Sequence, residues 1–313
     1  MKYDITALGE ILIDFAPAGK DSFGDSRYTQ KAGGAPLNLL ATAAKAGLKT
    51  AFIGKVGNDM FGKFLKNTVK ECGVSDEGIC TDKRHNTTLA FVSLSENGDR
   101  EFSFFRNYGA DVFLEKSDIP IKLIEQSAVF HFGSLSLTSE PARSATEFAL
   151  LTAQRAGCMI TYDPNYRAPL WENRKQAVSF MKQYLSFVDI LKISKEELLM
   201  ITGAIKTANA VKAVMSSGVR LVLVTDGPNG AGLYMKDCAF SAPAYPAETI
   251  DTTGAGDIFF GSFLSAFLKD GQTLATLTPQ KAEEYLKFAI KVSALSTEHH
   301  GAIASIPDIK EIK

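Results

Sequence analysis

Short apolar runs alternate with longer stretches of helical periodicity over most of the chain, a rhythm that predicts βαβ units and a mainly parallel sheet. The runs that read as strands are Ile5 to Leu8, Thr50 to Ile53, Ala128 to Phe132, Met159 to Tyr162, Ile190 to Ile193 and Leu221 to Thr225. Between them, the 3.6-residue period predicts helices over Pro36 to Ala46, Phe61 to Cys72, Pro141 to Arg155, Arg174 to Leu185, Lys195 to Thr202 and Ala208 to Met215. Glycine follows several of these segments, at Gly47, Gly73, Gly157, Gly203 and Gly218, where a left-handed cap needs no Cβ.

Two stretches break the rhythm. Thr88 to Leu94 and Arg100 to Arg106 flank Asn97-Gly98, a strong signal for a type I′ hairpin. Phe15 to Lys31 also reads as strand and turn, and the two stretches could pair into a small antiparallel sheet outside the main one. Both adjoin glycine-rich turns, where ligands are usually held, so the small sheet is read as a lid. The expected architecture is α/β: a mainly parallel central sheet sandwiched by helices, spanning 1–313, with a β lid from about 14–33 and 88–111.

Composition narrows the class. The 313 residues include 45% hydrophobic and 22% charged side chains at a mean hydropathy of 0.00, as in a globular protein with a large core. There are 34 Lys and Arg against 35 Asp and Glu, a balance that argues against nucleic acid or an anionic membrane as partner. Cys72, Cys80, Cys158 and Cys238 form no Cys-x-x-Cys pair, and four dispersed histidines suggest no metal cluster. The N-terminal segment reads as neither a signal nor a transit peptide, and no run of eighteen apolar residues occurs, so a cytosolic location is expected.

Gly57 to Lys63 follows the P-loop spacing, but Phe64 replaces the hydroxyl that would meet Mg²⁺, so it reads as a tight turn before a helix. No Gly-x-Gly-x-x-Gly follows the first strand, and no Gly-x-Ser-x-Gly elbow is present. The strongest local signal is Asp251-Thr252-Thr253-Gly254-Ala255-Gly256-Asp257 before an apolar helix, Ile258 to Leu268. Small residues there let backbone N–H groups converge at a helix N-terminus, where the dipole attracts an anion. Asp257 either caps that helix or accepts a proton from a hydroxyl held beside it. Gly33-Gly34-Ala35-Pro36-Leu37-Asn38 is a second signal, since paired glycines admit a ligand to the backbone and an amide suits sugar hydroxyls. Asp14 is read at the end of the first strand, where open α/β sheets bind ligands.

These segments, with Gly54 to Gly62, resemble in order and spacing the signatures of the ribokinase/PfkB sugar kinases, and the resemblance runs from Leu8-Gly9-Glu10 to Gly301-Ala302-Ile303. Within that family, the pattern is most similar to fructokinases at Gly9 to Phe15, Phe105-Arg106-Asn107, Gly109-Ala110-Asp111, Tyr162 to Arg167 with Pro169-Leu170-Trp171, and Lys192-Ile193-Ser194.

The resemblance implies roles. Asp257 would take the proton of a sugar 6-hydroxyl as it attacks the γ-phosphate of ATP, while the Gly254, Ala255 and Gly256 amides stabilise the transferring group. Asp14, Gly33, Gly34 and Asn38 would hold the sugar, with Phe104 and Arg106 covering it from the lid and Arg167 as a second clamp. Lys192, Thr225, Gly227 and Gly230 would face the nucleotide. Asp251, Thr253, Gly301 and Ser305 match positions for a monovalent cation, usually K⁺, and Mg²⁺ would arrive with ATP.

Two departures stand out. Lys192 and Lys195 are read at the family's Asn-x-x-Glu positions, with Glu196 and Glu197 beside them, and Ile290 stands where a polar residue is expected near adenine. The expected activity is ATP-dependent phosphorylation of D-fructose. The alternatives are a 2-keto-3-deoxygluconate kinase, whose acidic substrate Arg106 and Arg167 could meet, and a sugar-binding regulator without catalysis. The lid's unpaired edges also allow a homodimer.

Overall fold

A computed structural model describes residues 1–94, 100–309 and 311–312. The chain enters through β1 (Tyr3–Leu8), then forms β2 (Leu12–Lys20), β3 (Ser26–Gly33), α1 (Ala35–Lys45), β4 (Thr50–Gly57), α2 (Met60–Glu71) and β5 (Val74–Asp82). Next come β6 (Leu89–Leu94), β7 (Arg100–Phe105), α3 (Ile121–Glu125), β8 (Ser127–Gly133), α4 (Ala142–Ala156), β9 (Met159–Asp163), α5 (Arg174–Gln183) and β10 (Ile190–Ser194). The last part holds α6 (Lys195–Thr202), α7 (Thr207–Met215), β11 (Leu221–Thr225), β12 (Ala231–Met235), β13 (Cys238–Ala242), α8 (Ala255–Lys269) and α9 (Pro279–Ser296).

Among the described residues, nine strands form one sheet in the order β13-β12-β11-β10-β9-β8-β1-β4-β5. It is parallel from β11 to β5, with β12 and β13 added antiparallel at one edge. Its strands are apolar because both faces are covered. On β11, Val222 and Val224 face the core shared with α4 to α7, while Leu221 and Leu223 face the core under α1, α8 and α9. Predicted strands and helices lie within a few residues of the observed ones, and the five predicted capping glycines all have positive φ. The predicted helix from Arg174 ends at Gln183, where a 3-10 turn over Tyr184–Phe187 takes over.

The second sheet has the order β3-β2-β6-β7, antiparallel at β2–β3 and β6–β7 and parallel at β2–β6. Its strands are those expected of the second sheet, but its inner pairing is parallel where an antiparallel sheet was expected. The Asn97-Gly98 turn lies outside the described residues. Asp14 is also placed differently from expectation. It lies on lid strand β2, opposite Lys31, and not at the end of β1, because the chain turns into the small sheet at Leu12. The P-loop-like stretch is a capped turn: the Asp59 carboxylate accepts from the Gly62 and Thr87 amides at 2.7 and 2.8 Å.

Candidate active site

The first turn of α8 is the centre of the site. Gly254 adopts φ 76°, and a Cβ there would meet the Ala302 Cβ at 2.5 Å; a Cβ on Gly256 would meet the Lys192 Nζ at 2.6 Å. The turn is thus closed by the 301–303 loop on one side and by β10 on the other, which only glycine permits. The turn opens a fifteen-residue helix, and its Ala255 amide donates to the Thr252 carbonyl at 3.2 Å.

Asp257 is buried in that first turn, and Asn38 Nδ2 donates to its Oδ2 at 2.8 Å. Burial pushes the carboxyl up to about 6, against the pull of Lys192, Asn38 and Arg167. The bond fixes which way the Asn38 amide faces and leaves its Oδ1 acceptor without a protein partner. Asn38 is delivered by α1, whose first amide, at Ala35, donates to Glu10 Oε1 at 3.0 Å. Glu10 is buried and raised to about 7 by desolvation. Gly34, at φ 120°, lies so close to the Glu10 carbonyl that no side chain fits, and a Cβ on Gly33 would run into the Asp14 carboxylate. The two sequence signals at Gly33–Asn38 and Asp251–Asp257 therefore meet in space through a single hydrogen bond.

On the other side, Lys192 Nζ bonds Asp163 Oδ2 at 2.8 Å, both side chains buried. Burial alone would lower the Lys192 amine, but Asp163, Glu197 and Asp257 outweigh it and leave its pKa raised. Asp163 is pushed up to about 6 by burial, and its Oδ1 has no protein partner. Sequence reading quoted the Tyr162 to Arg167 segment without giving Asp163 or Glu10 a role; their positions at the ends of β9 and β1 were the available signal.

Lys192 and Lys195, read at the Asn-x-x-Glu positions, face different ways. Lys195 reaches outward to Asp226 at 2.7 Å, while the polar pair three residues apart is Ser194 and Glu197, which make a reciprocal cap at the start of α6. Arg167 is half-buried, bonds the Tyr166 carbonyl, and its charge is felt by Asp257. Arg106 lies at the root of the lid with its guanidinium shared among Asp111, Thr138 and the Leu135 carbonyl at 2.7, 2.9 and 2.9 Å. Phe104 precedes it on β7, partly buried.

Thr225, Gly227 and Gly230 line a cleft of about 520 Å³ whose floor is Ala255 and Gly256. The Asp251 carboxylate accepts from the Thr253 and Gly301 amides at 2.7 and 2.9 Å, and buried Ser305 donates to the Ala302 carbonyl at 2.9 Å. The four residues expected at the cation site are thus gathered behind the anion-hole turn. Of these groups the buried Asp251 carboxylate is the one whose chemistry suits a hard cation.

Residues 2–309 match the pfkB family carbohydrate kinase model. A probable fructokinase-5 from Arabidopsis thaliana is 41% identical over 306 residues, covering 97% of this chain and 94% of that one. A fructokinase with bound ATP from Xylella fastidiosa superposes with a TM-score of 0.92 at 30% identity, over 100% of this chain and 98% of the other. A fructokinase double mutant from Vibrio cholerae O395, solved with fructose, ADP and potassium ion, gives 0.89 at 29% identity, over 99% and 98%. The shared fold and the whole-chain match lead to one conclusion: this chain belongs to the pfkB family of carbohydrate kinases.

Proposed function

We propose that the protein transfers the γ-phosphoryl group of ATP to the 6-hydroxyl of D-fructose. The observation that carries this reading is Asp257, buried in the first turn of α8, hydrogen-bonded to Asn38 and flanked by Lys192 across Gly256. Asp257 accepts the hydroxyl proton as the sugar oxygen bonds to phosphorus and the bond to the bridging β-phosphate oxygen breaks. The amides of Gly254 and Gly256 are assigned the charge that gathers on the transferring oxygens, while that of Ala255 already donates to the Thr252 carbonyl at 3.2 Å. Lys192 stays protonated beside them, where positive charge assists departure of ADP. Mg²⁺ carried by the nucleotide would neutralise phosphate charge, and Asp163, whose Oδ1 has no protein partner, is the carboxylate assigned to it. K⁺ is assigned to Asp251, Thr253, Gly301 and Ser305, where it would keep the turn ordered.

Asp14, Gly33, Gly34 and the open acceptor of Asn38 are assigned to the sugar, with Phe104 above it. Arg106 is assigned to positioning, since all three guanidinium nitrogens are engaged in holding the lid's root. Arg167, with one main-chain bond of its own, remains the free clamp for phosphate or sugar. The four unpaired thiols fit a reducing compartment such as the cytosol. The lid is assigned a dimer contact.

A coupled ADP-release assay over ketoses and sugar acids tests the reading, with fructose expected to turn over fastest. A preference for 2-keto-3-deoxygluconate would replace the substrate, and silence with every sugar would favour a binding protein without catalysis.

A further inference from the structure

The helix that brings Asn38 to Asp257 has no cap of its own. The residue before α1 is Gly34, and no side chain fits there, because a Cβ would run into the Glu10 carbonyl and lie 3.1 Å from the Ile11 Cα. The missing acceptor comes from 25 positions upstream, where Glu10 Oε1 takes the Ala35 amide at 3.0 Å. Glu10 is only 3% exposed, and its backbone is fixed at the end of the main sheet, since the adjoining Gly9 amide donates to the Ile53 carbonyl of β4 at 3.2 Å. Asn38 stands one turn into α1. Its backbone amide donates to the Gly34 carbonyl at 3.1 Å, and its side chain donates to Asp257 at 2.8 Å. Glu10, Ala35, Asn38 and Asp257 thus form one line from the central sheet to the carboxylate.

Taking Asp257 as the base proposed above, we infer that Glu10 is a positioning residue for the transfer: by capping α1 from outside the helix it fixes Asn38, and through Asn38 the direction in which the Asp257 carboxylate faces the sugar hydroxyl. A base works only within hydrogen-bond reach of its proton, and a misplacement of about 1 Å can cost about 10²-fold in rate. Gly33 and Gly34 give the chain before α1 the most freedom to fray, so the bond from Glu10 is what holds the helix start. Position requires an acceptor here and not a charge. Burial pushes the Glu10 carboxyl up to about 7, so near neutral pH a large share of it is uncharged and its carbonyl oxygen still receives the Ala35 amide.

The test compares variants at Glu10 by kcat per folded molecule with fructose and ATP. Glu10→Gln keeps an acceptor for the Ala35 amide and drops the charge, whereas Glu10→Asp keeps the charge and falls one methylene short. Gln is expected to stay within about threefold of the unaltered protein, and Asp and Ala to lose about 10- to 100-fold with the ATP KM unchanged. More activity in Asp than in Gln would overturn the inference, since charge and not the bond would then matter; this comparison stands even if Glu10→Ala fails to fold. A purely structural role would lower the melting temperature and leave kcat per folded molecule untouched, which also overturns it. Adding Glu10→Ala or Glu10→Asp to Asn38→Ala should cost less than about threefold beyond Asn38→Ala alone, because both act through one contact, and fully additive losses would count against the link. Near-normal turnover in Asp257→Asn would instead sink the reading of Asp257 as base, whatever the Glu10 variants do.

Discussion

Asp257, Asp163 and Glu10 are three carboxyls that burial holds above their ordinary range, at about 6, 6 and 7. A carboxyl with a raised folded pKa stabilises the fold fully below its unfolded value near 4, and that contribution is lost as pH rises through the folded value. At neutral pH the ionised site therefore works against the fold. For Asp257 the cost is on the order of 2–3 kcal/mol. The role proposed for Asp257 requires the opposite protonation state, since a base must be empty to accept a proton. The kcat/KM for fructose is accordingly expected to fall as pH drops through about 6. A profile flat down to pH 5 would take Asp257 out of that position. Asp257→Asn should lower kcat by roughly 10² to 10⁴ with little change in the sugar KM. The same variant should melt a few degrees higher at pH 8 by calorimetry, because it removes the buried charge; equal melting would mean that burial does not hold the Asp257 carboxyl up.

The element that matters most is the turn from Gly254 into α8. Local sequence makes the turn, because a left-handed residue at the helix start and small residues after it expose the amides. Its tertiary neighbours hold it in place, as the 301–303 loop and Lys192 fill the spaces that side chains would occupy. Gly254→Ala should cost about 1–2 kcal/mol in backbone strain and also displace the loop carrying Gly301. Turnover should collapse while the fructose KM stays close to normal, since the assigned sugar contacts come from α1 and the lid. Gly203→Ala is the control: Gly203 has φ 72° with open space around it, so the variant should lose similar stability and keep its turnover. Equal turnover in the two variants would show that the turn matters only for folding.

The lid belongs to the scale of the whole molecule. Phe15 and Phe91 stack at 4.8 Å, with Tyr28 and Phe105 set edge-on against Phe91, and Phe105 and Tyr28 remain 65% and 47% exposed. An aromatic cluster on a sheet with two open edges is a surface that a second copy of the chain would cover. Sedimentation should therefore show a dimer. Phe105→Ser with Tyr28→Ser should shift it toward monomer and raise the fructose KM, because each lid would lose its backing. A wild-type monomer at micromolar concentration would end that proposal.

Much of the molecule was legible in its residues. The inner strands β1, β8, β10 and β11 read clearly because helices cover both faces and only apolar residues survive there. The edge strands β5 and β13 did not, since Val74–Asp82 and Cys238–Ala242 are partly exposed and carry mixed polarity. The Gly254 turn and the place of Asp257 in the first turn of α8 were equally legible, because a glycine-rich helix start is a local event written in consecutive positions. What the sequence could not supply is who faces whom across the fold. The Asn38–Asp257 bond joins residues 219 positions apart, and the Asp163–Lys192 pair depends on β9 and β10 lying side by side. Arg106 is held by Leu135 and Thr138, about thirty positions on, for the same reason. The local chain determined which groups could do chemistry, and packing decided their partners, their protonation and which of them remain open to a substrate.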